Sequence, residues 1–309
     1  MPDTLELLER PTAPRLDMIA GWRQWADAGS ISSGLPQYLI QRTGARRIGA
    51  IHPEGFYLFQ IPGTHDLVRP VVKFDDGYPE SLTLPRNEFF YTGDERHGTV
   101  IFVGDEPHLD VERYIAALLE AAQTLGVKRI VSLGGVYGEL PYNKERTISC
   151  IFSLPALKQE LSELAVQFSD YHGGASISSV LCRRAADAGM EHVGFYALVP
   201  TFDFSRLGQA GNTIRIENDF MAWLGVMRRI NYMLKTRFDL SDLEEKSAKL
   251  IQVVDARVDE IERTSPELNV REYFAQLAED YTEMPFDPLG DVWEEELRRL
   301  FDDESEDEA

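Results

Sequence analysis

Short apolar runs alternate with longer amphipathic stretches over the first two thirds of the chain. Seven runs are rich in β-branched and aromatic residues and bounded by Gly, Pro or Asp: "LDMIAG" (16–21), "RRIGAI" (46–51), "HDLVRPVVKF" (65–74), "EFFYTG" (88–93), "TVIFVG" (99–104), "RIVSLG" (129–134) and "VGFYALV" (193–199). Each predicts a strand. Between the fifth and sixth, Val111, Ile115, Leu118, Leu119 and Ala122 fall on one helical face, and Ile177, Val180, Leu181 and Ala185 do the same before the seventh. Strand, helix, strand in this order predicts a mostly parallel sheet with helices on both faces. Residues 65–93 leave no room for a crossover helix, so an antiparallel excursion is expected there, at the sheet edge.

Beyond residue 213 the periodicity is helical throughout. "NDFMAWLGVMRRINYMLK" is apolar around most of its circumference and predicts a buried helix, whereas "LSDLEEKSAKLIQVVDARVDEIERT" carries a stripe through Leu243, Leu250, Ile251, Val254, Val258 and Ile261. A further helix runs through Phe274 and Leu277, and Trp293 is expected to anchor the last one. The pattern divides the chain into an α/β core (1–236), a helical extension (237–301) and an acidic tail (302–309). The stripe and Trp293 offer more apolar surface than one sheet covers, which predicts a homo-oligomer.

Charge narrows the partners. The formal net charge is −21, and residues 241–309 hold 23 acidic against 7 basic residues, or 16 of those 21 negative charges. Such a chain repels phosphate backbones and anionic lipid, so neither nucleic acid nor a membrane is expected as partner. The block "DDESEDEA" predicts a solvated tail. The two cysteines, Cys150 and Cys182, lie in apolar sequence without a metal-spaced neighbour, and the six histidines are scattered, so no metal or other cofactor is expected. The opening residues lack a secretory pattern and no apolar run is long enough to span a bilayer, which gives a cytoplasmic expectation.

Candidate chemistry follows from topology. Sites in open parallel sheets form beyond the carboxyl ends of the strands, where three glycine-bearing loops lie: "GWRQWADAGS", "GDEPHLD" and "GGVYGELPYN". Gly21, Trp22, Trp25, Asp27, Asp105, Gly134, Gly135 and Tyr142 are the candidate cleft residues. Glu106 and Glu139, each with His108, are the candidate general acid and base if the protein is an enzyme. The competing interpretation of "GDEPHLDVERY" is helix capping without chemistry. "HGGASISS" (172–179) has glycines before a helix start but neither the lysine of a phosphate loop nor dinucleotide spacing, which favours a plain helix start.

"GWRQWADAGSISS", "GDEP", "SLGG" and "GGASISSVLCRRAADAGMEHVGFYALVP" together resemble the proteasome assembly chaperone family, second type, in its bacterial and archaeal branch, over about residues 16–235. The resemblance implies a three-layer α/β/α sandwich similar to nucleoside phosphorylases and peptidyl-tRNA hydrolases, a helical C-terminal extension, and self-association with a trimer as the expected order. It supplies no catalytic residues. The hydrophobic-tyrosine-any ending that docks some archaeal relatives on proteasome rings is not matched by "SEDEA". Two functions of different class follow: a non-enzymatic assembly chaperone or scaffold with an unidentified protein partner, and a phosphorylase- or hydrolase-type enzyme using the strand-end cleft.

Overall fold

The computed structural model describes residues 4–23, 25–60, 69–203 and 213–286. In chain order the elements are β1 (Leu5–Leu7), β2 (Arg15–Arg23), α1 (Gly34–Thr43), β3 (Arg46–Ile51), β4 (Val71–Asp75), β5 (Tyr78–Thr83), β6 (Asn87–Gly93), β7 (His97–Asp105), α2 (Val111–Leu125) and β8 (Arg129–Gly138). They continue with β9 (Ile148–Phe152), α3 (Lys158–Ser162), β10 (Gln167–Phe168), α4 (Ile177–Asp187), β11 (Glu191–Asp203), β12 (Thr213–Arg215), α5 (Phe220–Leu234), α6 (Ser241–Thr264) and α7 (Val270–Asp280).

The main sheet has the order β1-β3-β6-β7-β2-β8-β11-β9-β10, with β12 on β11. Its centre, β7-β2-β8-β11, is parallel, as strands joined by crossover helices must be. Antiparallel pairs flank that centre on both sides. Central strands alternate their side chains between two cores. Ile19, Val131, Leu133, Val193 and Phe195 face α1 and α5, while Met18, Ala20 and Ile130 face α2 and α4. Helices therefore cover both faces, and the fold is the three-layer α/β/α sandwich.

Helix α2 runs as its periodicity predicts. Tyr114, Ile115, Leu118, Ala121 and Ala122 are buried, and the helix ends on Gly126 at φ 77°, a left-handed cap that glycine adopts without strain. The stripe of α6 packs inside the chain: Leu243, Val254, Val258 and Ile261 join the core that holds α1, α5 and α7. That surface is thereby covered within the protomer rather than left for a second copy.

The antiparallel excursion departs from expectation. Strands β4 and β5 form a separate two-stranded sheet instead of extending an edge of the main one, and every residue from Val71 to Thr83 is exposed. With no helix or core among the described residues to pack on, the hairpin leaves Val72, Phe74, Tyr78 and Leu82 exposed. Residues 65–68 of that predicted strand, Trp293 and the acidic tail lie outside the described residues.

Candidate functional site

A cleft of about 1160 Å³ opens beyond the carboxyl ends of β2 and β8, on the α4 side of the sheet. The sequence of β11 explains why it is there. Val193, Phe195, Ala197 and Val199 point into one core, whereas His192, Gly194 and Tyr196 point the other way, so the α4 side is too small and polar to seal itself. Tyr196 and Leu198 of β11 and Ser149, Ile151 and Ser153 on one side of β9 line the cleft, α4 supplies Ser176, Ser179, Cys182 and Arg183, and the aromatics Trp25 and Tyr171 stand at the mouth, 71% and 70% exposed.

Two of the predicted cleft residues work through their backbones. A Cβ on Gly134 would lie 2.5 Å from the Tyr196 ring, and one on Gly135 would lie 2.0 Å from the Ala28 carbonyl oxygen. The first absence lets the phenol lie flat on β8. The second lets the loop after β2 dock on the strand end, where the Gly135 N–H donates to Ala26 O at 2.9 Å. Gly21 is likewise pressed against the Ser32 carbonyl, 1.8 Å from where its Cβ would be.

Asp27 lines the cleft, but its carboxylate is bound to the protein. Oδ1 accepts from the N–H groups of Ser32 and Ser33 at 3.0 and 2.9 Å, and Oδ2 from the Ser33 hydroxyl at 2.6 Å. Burial nonetheless outweighs these bonds and raises its pKa above the usual aspartate value.

Gly21, Trp22, Asp105, Gly134 and Tyr142 lie outside the cleft lining. The Trp22 indole N–H donates to Tyr114 Oη at 2.9 Å within the α2 layer. Asp105 accepts from Arg23 Nε at 2.6 Å and from the Arg86 N–H at 3.0 Å, joining β2, β7 and the start of β6. Tyr142 donates to Asp255 of α6 and packs edge-on against Phe274 of α7, 4.9 Å between centroids; burial, and then the Asp255 carboxylate, push its pKa up to about 12. The loop "GGVYGELPYN" beyond its glycines is therefore the seat of the C-terminal helices. Glu283 accepts from the Glu145 N–H at 2.9 Å, and the Tyr281 hydroxyl lies 2.8 Å from that of Thr147.

The three candidate acid and base residues are held by different neighbours. Glu106 Oε1 accepts from the Ile177 N–H at 2.8 Å and Oε2 from the Trp25 N–H at 3.3 Å. Its carboxylate sits at the amino end of α4, where an anion would otherwise be welcome, and burial raises its pKa against those two bonds. His108 Nδ1 accepts from the Leu58 N–H at 3.1 Å, and burial lowers its pKa. Glu139 is exposed, with its charge acting on Tyr273 of α7.

Sequence reasoning did not reach the hydroxyl cluster on the cleft wall. Tyr196 Oη lies 3.0 Å from Ser176 Oγ and 3.3 Å from Ser179 Oγ, and Ser176 caps α4 by accepting from the Ser179 N–H. The signal was available in the alternation of "HVGFYALV", whose polar and small positions share one face. Cys182 adds a thiol whose pKa burial pushes up to about 11, well away from a reactive thiolate. No group of three or more metal-ligating side chains gathers among the described residues, and no helix there is long and apolar enough to cross a membrane.

A parallel-centred sheet covered on both faces, with a strand-end cleft walled by hydroxyls and aromatics, defines an α/β/α sandwich protein. Within that class, the sequence pattern of the PAC2 family matches residues 22–258, and the chain belongs to this family. No curated protein matches the sequence. Among solved structures, the fold is similar to a proteasome-assembly chaperone homologue of Mycobacterium tuberculosis (22% identity, 78% of this chain and 94% of that one, TM-score 0.66) and to a PAC2 family protein of Streptomyces avermitilis (25%, 78% and 95%, 0.64). It is also similar to an archaeal proteasome activator of Pyrococcus furiosus (19%, 82% and 97%, 0.57). Likeness at these identities is one of fold, and the family assignment rests on the sequence match.

Proposed function

We propose that this protein is a non-enzymatic, self-associating interaction protein of the assembly-chaperone type, acting on a protein partner in the cytoplasm. PAC2 family membership supports the class. So do the two structural relatives described as a proteasome-assembly chaperone homologue and as a proteasome activator. Two buried free cysteines suit a reducing compartment.

The observation that carries this proposal is the commitment of Glu106. With both carboxylate oxygens on backbone N–H groups, it serves the helix start, and it occupies the place where a phosphorylase would want its phosphate. Replacing Glu106, His108 or Glu139 singly by alanine should leave nucleoside phosphorolysis and peptidyl-ester hydrolysis at background. A reproducible turnover lost by about a hundredfold in any of the three, with the fold intact, would reinstate the enzyme.

Self-association, with a trimer as the expected order, is supported by the β4–β5 hairpin. Val72 pairs directly opposite Leu82 and Phe74 lies two residues along, so one face of an otherwise solvated ribbon is apolar. Sedimentation at micromolar concentration should show an oligomer. Phe74→Ser combined with Leu82→Ser should release monomers of unchanged thermal stability, and a monomeric parent would end this part of the proposal.

A further inference from the structure

A second cavity, of about 840 Å³, lies at the amino ends of β2 and β7, opposite the cleft. We propose that it binds a small, multiply charged oxyanion. Its lining brings Arg15, Arg96, Lys235 and Arg237 together in a chain whose net charge is −21. Such a concentration of cations runs against the rest of the molecule.

The floor is built. Asp17 is fully buried beneath the cavity, and its Oδ2 accepts from Arg15 Nε at 2.7 Å and lies 3.1 Å from His97 Nε2. This carboxylate holds the Arg15 guanidinium by its Nε edge alone. The terminal nitrogens of Arg15 make no further hydrogen bond among the described residues, the arrangement of an arginine oriented from behind to present its fork to a ligand. Asp17 Oδ1 is buried without a hydrogen-bond partner among the described residues.

The acids at the rim are partly withdrawn. Asp94 accepts the N–H groups of Arg96 and His97, each at 2.8 Å, and those bonds hold its pKa below the usual aspartate value and tie its charge to the β6–β7 turn. Glu95 remains as the other rim carboxylate, against the Arg96 guanidinium, which forms no ion pair among the described residues.

Lys235 holds a strained backbone position beside the cavity. It caps α5 at φ 58° and ψ 33°, in the left-handed region, where an L side chain with a Cβ is disfavoured. Helices α1 and α2 of the same protein end in that conformation on Gly44 and Gly126. A lysine needed only to complement the carboxyl end of α5 has unstrained positions available in the last turn. Lys235 lines the cavity, and its ammonium lies 4.1 Å from the centre of the Tyr232 ring. Other described residues with a Cβ, Ser30, Asp76, Asp110, Ala165 and Asn269, share a positive φ, so what distinguishes Lys235 is its place on the cavity lining.

The oxyanion is phosphoryl or carboxylate, and two probes separate these sources: pyrophosphate and citrate, titrated into the full chain by calorimetry at low ionic strength. Saturable binding of either is expected, and the tighter of the two names the source. Lys235→Gly and Arg96→Gln should each weaken it about tenfold, the loss typical of one charge-assisted contact. Arg183→Gln, at the far end of the sheet, should bind like the parent. The glycine variant should also melt at or above the parent temperature, because it relaxes the cap. No heat from either probe at millimolar concentration would overturn the proposal. So would a Lys235→Gly variant that binds normally but melts lower, since the lysine would then be serving the fold.

Discussion

Replacing His192 by glutamine should flatten the response of stability to acid. His192 is 0% exposed, Nε2 lies 2.9 Å from Ser132 Oγ, that hydroxyl lies 2.5 Å from Ser178 Oγ, and Nδ1 has no hydrogen-bond partner among the described residues. A charged imidazole has no counter-ion there among the described residues, and burial pushes the pKa down to about 3. An unfolded chain takes up the proton near pH 6.5. The folded pKa is depressed, so as pH falls the unfolded state binds the proton first, and stability is lost progressively from about pH 6.5 down to about pH 3. At about 1.4 kcal/mol per pH unit, moving from pH 7 to pH 5 costs about 2 kcal/mol through this one ring. Urea unfolding at pH 7, 6 and 5 measures it: with an m-value of about 3 kcal/mol/M, the parent midpoint should fall by somewhat under 1 M from this cause. Glutamine keeps an amide for the Ser132 hydroxyl but cannot titrate, so the variant midpoint should fall by that much less. The half-buried His108 drifts in the same direction and cancels in the comparison. Parent and variant curves that run parallel between pH 7 and pH 5 would refute the reasoning, because the protonated ring would then have found a partner inside the fold.

Gly135→Ala should lower stability by about 1–3 kcal/mol, since the new methyl would meet the Ala28 carbonyl, which is backbone and yields little; an unchanged melting temperature would contradict this. Tyr142→Phe should cost about 1 kcal/mol in denaturant unfolding by removing the bond to Asp255 while leaving the contact with Phe274, and full stability would mean that the hydroxyl contributes nothing to docking α6.

The parallel centre, the two helical layers and the long C-terminal helices were legible because their cues are local. The apolar run "RIVSLG" opens β8, and the 3.6 period over 111–125 is α2. Strands β1, β9, β10 and β12 were not legible. Three have only two or three residues, and β9 owes its place to pairing with β11, which no local pattern encodes. The hairpin read as strand but not as a separate sheet, because exposed and half-buried strands can share a composition. The candidate site was legible to the extent that it follows from topology. Strand-end loops brought Trp25, Asp27 and Gly135 to one cleft, while the acids in those loops turned to capping and pairing duties that depend on distant partners such as Ile177 and Arg86. Tyr196 was passed over because its strand read as uniformly apolar.

The C-terminal segment has a consequence for how the molecule is made. The loop from Leu140 to Thr147 receives Tyr281 and Glu283 across 134 to 138 residues of chain. Arg229, whose guanidinium donates to the carbonyls of Leu164 and Ala165, gains its latest partners in the Met284 carbonyl and the Phe286 ring. During synthesis at about 5–20 residues per second, the sheet can be complete while this loop still waits several seconds for residues near 284. Contacts of such sequence separation form late and slowly. A nascent chain stopped before residue 280 would therefore carry a paired sheet whose Glu145 N–H and Thr147 hydroxyl still lack Glu283 and Tyr281, a state for cellular chaperones to hold until the end of the chain docks.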